Sequence, residues 1–281
     1  MQYRPFGPVA DKVSIIGLGT WYIDVGNRKQ AIAALQAGLD AGVNHIDTAE
    51  LYGDAELIVA EAIAGRRDAV FLVSKVLPNN ASRKGTRTAC ERSLKRLRTD
   101  RLDCYLLHWR GSYPLAETVE TLVALQREGK IRSWGVSNFD EDDLAELSDV
   151  GEAAGGASAC DQVFYHLKER AIEHAVLPAC KAQGQALVAY SPFGHNDFPR
   201  PDSAGGRILA GIAAAHGATS RQVALAFLLR DPVVFAIPKA SDPQHAAENA
   251  AAGDLTLTLD EIAAIDRAFP PGVKPRSLPM L

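Results

Sequence analysis

Four residues in the first 110 could together move a proton to a carbonyl oxygen: Asp47, Tyr52, Lys75 and His108. Asp47 ends the short apolar run VNHI, and Tyr52 follows five residues later at a turn marked by Gly53 and Asp54. Aspartate is a poor strand residue and is rarely buried without a partner. A lysine ammonium about 4 Å from a tyrosine hydroxyl, at an effective dielectric near 20, favours the phenolate by ~4 kcal/mol. That is roughly three units off an ordinary tyrosine pKa near 10. Desolvation opposes the shift, so a smaller net lowering is expected. Tyr52 would then be a general acid around neutral pH, with Asp47 keeping Lys75 charged and His108 aligning the same oxygen.

Such a set works only if the fold brings it together. Apolar runs suited to strands occur at VSIIGLGT, VNHIDT, VFLVSK, LDCYLLHW, RSWGVSNF, ASACDQ, ALVAYS and VVFAIPK. Segments with a period near 3.6 lie between them, from RKQAIAALQAGLDAG to HAAENAAA, and several stop at a glycine (Gly42, Gly65, Gly129, Gly184). Strand ends recur at roughly the ~30-residue spacing of a βαβ unit. The last interval is longer and holds an extra helix, GRILAGIAAAHGA. Eight strands alternating with eight helices predict an α/β fold, a (β/α)8 TIM barrel, over residues 1–281 as a single domain. Tyr3–Gly7 and Val13–Ile16 would form an N-terminal β-hairpin closing one end. An open doubly wound sheet would need a G-x-G-x-x-G turn, but residues 17–22 read GLGTWY.

A barrel places active groups at the carboxyl ends of its strands. Read in order, those ends are Thr20, Asp47, Lys75, His108, Ser137 with Asn138, Gln162, Tyr190 with Ser191, and Lys239. One polar strand end is usually a solvated loop start. Asp47, Lys75 and His108 arriving from three successive strands are harder to treat that way.

On these motifs the chain resembles the aldo-keto reductases: GLGTW (17–21), DTAELYG (47–53), LVSK (72–75), LLHW (106–109), GKIRSWGVSNF (129–139), DQVFYH (161–166), AYSPF (189–193), IPKA (237–240) and EN (248–249). The resemblance implies the same barrel, Tyr52 as acid in a tetrad with Asp47, Lys75 and His108, and direct hydride transfer from a nicotinamide cofactor without a metal. It places Gly19, Thr20 and Trp21 at the nicotinamide end and Ser137, Asn138 and Gln162 on the carboxamide. Tyr190 would stack on the ring, Ser191, Pro192 and Phe193 would lead into the pyrophosphate loop, and Ile237, Pro238, Lys239 and Ala240 would run to the 2′-phosphate. Glu248 and Asn249 would meet the adenine. Trp21, Tyr52, His108 and Trp109, joined by Phe198, would surround the substrate.

Three positions depart from the family pattern. Phe193 stands where leucine is usual, Ala240 replaces a serine, and His245 stands where an arginine is expected. Lys239 remains, which favours NADPH over NADH, while Asp242 near the 2′ position would favour NADH. The loop Arg110–Tyr113 and the tail PPGVKPRSLPML are short, which implies an open, shallow pocket for small aldehydes and dicarbonyls. The wording is most similar to the bacterial branch that includes methylglyoxal reductases. A nicotinamide-binding regulatory subunit, or oxidation of a sugar or alcohol, are the other readings.

Composition narrows the rest. The 281 residues are 47% hydrophobic and 23% charged, with a formal net charge of −4, which offers no basic surface for nucleic acid. No run is long and apolar enough to span a membrane, and the N-terminus lacks a signal-peptide pattern. The four cysteines form no CxxC pair, and no metal-ligand spacing occurs. A cytoplasmic monomer acting on a small carbonyl compound is expected.

Overall fold

The computed structural model describes residues 1–10 and 12–281 in full. Eight parallel strands form one sheet: β3 (Gly17–Gly19), β4 (His45–Asp47), β5 (Phe71–Val76), β6 (Leu102–Leu107), β7 (Ile131–Ser137), β8 (Cys160–Phe164), β9 (Ala186–Tyr190) and β10 (Val234–Ile237). Each pairs with its neighbour in chain order, and bridges from Ile16 to Ala236 and from Gly19 to Lys239 join the two edges. The sheet is therefore a closed barrel, as the strand spacing predicts. Gly19 is needed at that seam, since an added Cβ would lie 2.5 Å from the Ile237 carbonyl oxygen.

The outer ring contains α1 (Arg28–Asp40), α2 (Ala55–Ala62), α3 (Arg83–Leu97), α4 (Leu115–Arg127), α5 (Glu141–Ala154), α6 (Val176–Ala182), α7 (Ala204–His216), α8 (Ser220–Leu228), α9 (Pro243–Ala251) and α10 (Leu259–Ala268). All four expected glycine stops have positive φ. β5 and β6 are buried along their whole length, so they read as mostly apolar runs, broken by Ser74, Lys75 and Asp103, rather than as alternating ones. The expected hairpin forms from β1 (Tyr3–Phe6) and β2 (Val9–Ser14). Its second strand starts four residues earlier than the sequence suggests, because the chain turns tightly between Phe6 and Val9. Phe6 plugs the amino-terminal mouth, with ring centroids 4.9 Å from Phe71 and 5.1 Å from Phe235. Among the described residues, no helix is long and apolar enough to cross a membrane.

One buried polar group on the barrel wall makes a testable point. Asp161, on β8, accepts a hydrogen bond from the Phe139 amide at 3.4 Å, while its other oxygen has no partner. Burial pushes its carboxyl well above the usual carboxylate range. Folding therefore takes up a proton wherever the pH lies between the unfolded and the folded pKa. The stability from this group is full below the unfolded pKa near ~3.9 and is lost as pH rises toward the folded value. Asp161→Asn should flatten that loss, which amounts to up to about 1.4 kcal/mol per pH unit. Thermal melts of both proteins from pH 5 to 8 check this, and parallel curves would contradict it.

Candidate active site

The carboxyl-end rim holds the four residues singled out first. Asp47 closes β4, Lys75 is the penultimate residue of β5, and His108 follows β6, its amide donating to the Val76 carbonyl at 3.0 Å. Lys75 Nζ donates to Asp47 Oδ1 at 2.5 Å and to the Thr48 carbonyl at 2.9 Å. Lys75 and Asp47 are 0% and 1% exposed, so the pair is fully withdrawn from water. The other Asp47 oxygen accepts from Gln162 Nε2 at 2.7 Å, across the barrel from β8. Thr20 Oγ1 donates to the Asp47 carbonyl at 2.9 Å. Asp47 is thus held from three strands' worth of neighbours.

Tyr52 sits on the turn before α2. The Ala55 amide donates to its carbonyl at 2.9 Å and its own amide donates to Ala49 at 3.1 Å. Gly53 makes this turn possible: it has φ of 51°, and an added Cβ would lie 2.2 Å from Asp24 Oδ2. Arg96 donates to the Gly53 carbonyl, and Asp24 accepts from the Asp54 amide. The Tyr52 hydroxyl is thereby aimed inward, 3.4 Å from His108 Nε2, and Lys75 Nζ lies 5.1 Å from the centre of its ring. Asp47 is buried because Lys75 and Gln162 partner it, and Gly53 turns the chain so that Tyr52 reaches the same point.

The charge state differs from the sequence expectation in one respect. Burial raises the Tyr52 pKa above its usual 10; Lys75 pulls it down, Asp47 pushes it up, and the net result is a rise. The reading of a lowered pKa counted Lys75 as a lone cation. The neighbour is instead a tight ion pair whose field largely cancels, so desolvation prevails. For Lys75, burial opposes the charge, but Asp47 and Tyr52 together raise its pKa. Burial, then Lys75, lowers His108 to about 2, so its imidazole is neutral. At neutral pH the site therefore offers a protonated phenol beside a neutral imidazole, over a buried ammonium.

These groups line a cavity of about 510 Å³ together with Gly19, Trp21, Trp109 and Tyr190. Ser137 Oγ donates to the Gln162 carbonyl at 2.7 Å, Asn138 Nδ2 to the His108 carbonyl at 3.1 Å, and Tyr190 Oη to Asn138 Oδ1 at 2.9 Å. The expected carboxamide trio is brought together, and Gln162 also orients Asp47, which its spacing alone does not show. Five non-glycine residues have a left-handed backbone, and four of them (Tyr22, Asn138, Ser191, Asn196) line this cavity. Strained backbone of this kind gathers where the chain must aim a side chain or carbonyl at a ligand.

Several expectations need correction. The tail does not leave the pocket open: Met280 and Leu281 line it, and the Leu281 amide donates to Tyr190 Oη at 3.3 Å. Phe198 is not in the substrate wall. It packs edge-on against Phe193, 5.8 Å away, in a neighbouring cavity. His195, which no sequence motif marks, lies 5.8 Å from the Trp21 ring at the cavity mouth, where Tyr22 stacks on Trp21 at 4.7 Å. Pro238 makes the seam rather than a ligand contact: it is buried, and its carbonyl accepts from the Gly19 amide at 3.2 Å.

The neighbouring cavity, of about 1020 Å³, continues the first through Phe193, Gly194, Asn196 and Lys239 and ends at Glu248 and Asn249. Ala240 and His245 face it as well. Asp242 lines it too. It caps α9, its Oδ1 accepting from the amides of Gln244 at 2.8 Å and His245 at 3.4 Å.

Comparison with known proteins agrees with this geometry. Residues 15–269 match the model of the aldo/keto reductase family. The chain belongs to that family. This aldo/keto reductase is 45% identical over 259 residues to methylglyoxal reductase YeaE of Escherichia coli (strain K12), covering 91% of the chain and 90% of the relative. It is 33% identical to the glyoxal reductase of Bacillus subtilis (strain 168), covering 89% and 87%. Its fold is similar to the crystal structure of an aldo-keto reductase from Klebsiella pneumoniae in complex with NADPH, with a TM-score of 0.92, 45% identity, and 100% and 99% coverage.

Proposed function

We propose that this aldo/keto reductase reduces small aldehydes and ketones to alcohols, using NADPH and Tyr52 as general acid. The observation that carries the reading is the Tyr52 hydroxyl, protonated and 3.4 Å from a neutral His108, above the buried Lys75–Asp47 pair. NADPH fits the residues present. The two connected cavities form one groove from Tyr52 to Asn249, with the cation Lys239 between them. Along it, Ser137, Asn138 and Gln162 suit a carboxamide, whose donors and acceptor they can match. Tyr190 would flank the nicotinamide. When bound, the cofactor would supply the hydride.

The protein's own residues supply the rest. The Tyr52 O–H and the His108 imidazole converge on one point in the cavity, where they would hold a carbonyl oxygen. As charge grows on that oxygen, Tyr52 gives up its proton, and the Lys75 ammonium beside it steadies the phenolate that remains. Asp47 keeps the ammonium charged and fixed, and Gln162 fixes Asp47.

The 45% identity to a methylglyoxal reductase supports dicarbonyls such as methylglyoxal as substrates. The walls of Trp21, Tyr22 and Trp109 also favour flat aromatic aldehydes. The tail at Tyr190 narrows the entrance, which disfavours bulky ligands. We propose in addition that residues 1–281 act as one domain and as a monomer in the cytoplasm. Four buried free cysteines suit a reducing compartment.

The pH profile tests the acid. With Tyr52 raised above 10 and His108 lowered to about 2, kcat/KM for reduction should stay flat from pH 6 to 9 and fall only in stronger alkali, as Tyr52 deprotonates. A fall centred near neutrality would mean that another group donates the proton. Lys239→Ala should weaken NADPH about 10- to 150-fold, as expected for a lost charged hydrogen bond, and NADH far less. Equal losses, measured as dissociation constants, would rule out the 2′-phosphate role of Lys239.

A further inference from the structure

Arg221, the second residue of α8, was not singled out by any sequence motif, yet it faces the groove at its adenosine end. Its guanidinium carbon lies 5.0 Å from the Phe198 ring centre and 5.6 Å from that of Phe193. Two edge-packed rings thus hold one cation in place. The backbone beneath it is fixed too. Thr219 and Gln222 form a capping box, and Gln222 Nε2 donates to the Glu248 carbonyl at 2.8 Å, tying α8 to α9.

What Arg221 lacks is an anion. Arg170 and Arg230 also sit on an aromatic ring, and both bind Glu173, at 2.7 and 2.9 Å. Among the described residues Arg221 has no such carboxylate, and neither does Lys239 on the same wall. The two acids nearby are engaged elsewhere: Asp242 caps α9, and Glu248 Oε1 accepts from Gln244 Nε2 at 2.8 Å. The Ser241 hydroxyl in this wall also makes no hydrogen bond. The cavity therefore presents two unpaired cations where a phosphate dianion would be neutralised.

We propose that Arg221, clamped by Phe193 and Phe198, is the second cation of the adenosine 2′-phosphate site and sets the preference for NADPH over NADH. This rests on the cofactor reading above. It gathers the three departures from the family pattern into one explanation. His245 stands in place of the expected arginine and Ala240 in place of the serine, while Phe193 in place of leucine provides a ring on which a guanidinium arriving from α8 can rest. Arginine suits the task because its planar fork binds two phosphate oxygens at once.

The test compares dissociation constants for NADPH, NADH, adenosine 2′,5′-bisphosphate and 5′-AMP in the wild type, Arg221→Gln and Arg221→Lys, followed by protein fluorescence. Arg221→Gln should weaken NADPH and the bisphosphate about 10- to 150-fold, with NADH and 5′-AMP held within about twofold. Arg221→Lys should fall between the two, having charge without the fork. Equal weakening of all four ligands would place Arg221 on the pyrophosphate or the adenine and overturn the proposal. So would unchanged binding of the bisphosphate. Both failures presuppose a wild type that prefers NADPH. A wild type that holds NADH as tightly as NADPH would overturn the cofactor reading itself, and the role of Arg221 with it.

Discussion

Tyr52→Phe should lower kcat/KM for carbonyl reduction by about 10²- to 10⁴-fold, the range that a positioned general acid contributes, while NADPH binds within about twofold of wild type. The substitution removes one oxygen from a ring that is otherwise held by packing and by the Gly53 turn, so the fold has no reason to change. The hydroxyl lies 3.4 Å from His108 Nε2, with the Lys75 ammonium also beside it. The remaining imidazole is neutral and cannot take over as a strong acid, since burial and Lys75 hold its pKa at about 2. A variant keeping more than a tenth of the wild-type rate would show that the proton comes from elsewhere. Steady-state rates and cofactor dissociation constants, measured together, separate the two effects.

Lys75→Met should have an equally large effect, divided between activity and stability. Its Nζ is wholly buried and donates to Asp47 and Thr48. Removing one partner of a buried ion pair leaves the other uncompensated, at a cost of about 3–5 kcal/mol. Replacing Asp47 as well, in the Lys75→Met/Asp47→Asn double variant, removes the stranded charge. Much of the stability should then return, and Gln162 can still bond residue 47. Activity should not return in either variant, because the ammonium that steadies the Tyr52 phenolate is missing from both. Denaturant melts read the first effect and turnover reads the second. A double variant as unstable as Lys75→Met alone would mean that packing, rather than charge, dominates at this position.

Much of this was legible in the sequence, for identifiable reasons. Fully buried parallel strands leave mostly apolar runs, so β5 and β6 stand out, and their last residues mark the rim. Once the strands are in order, Asp47, Lys75 and His108 must fall side by side. What stayed hidden depends on quantities that spacing does not carry. The direction of the Tyr52 shift turns on how completely Lys75 is neutralised by Asp47. Gln162 reaches Asp47 across the barrel from a strand 115 residues away, and no local pattern signals that contact. The return of Met280 and Leu281 to Tyr190 is also tertiary, anchored on the way by Lys274 to Glu141. The place of Arg221 did have a local signal: α8 opens with a capping box at Thr219 and Gln222, which sets Arg221 in the first turn of that helix.

The most direct measurement is the absorbance of the nicotinamide with methylglyoxal and with an aromatic aldehyde, each supplied with NADPH and with NADH, for the wild type beside Tyr52→Phe. NADPH should be oxidised with one or both carbonyls, more slowly with NADH at equal concentration, and hardly at all in Tyr52→Phe. Measurable cofactor binding without turnover of any carbonyl in the wild type would contradict it, and would make this barrel a nicotinamide-binding protein whose tetrad serves some other end.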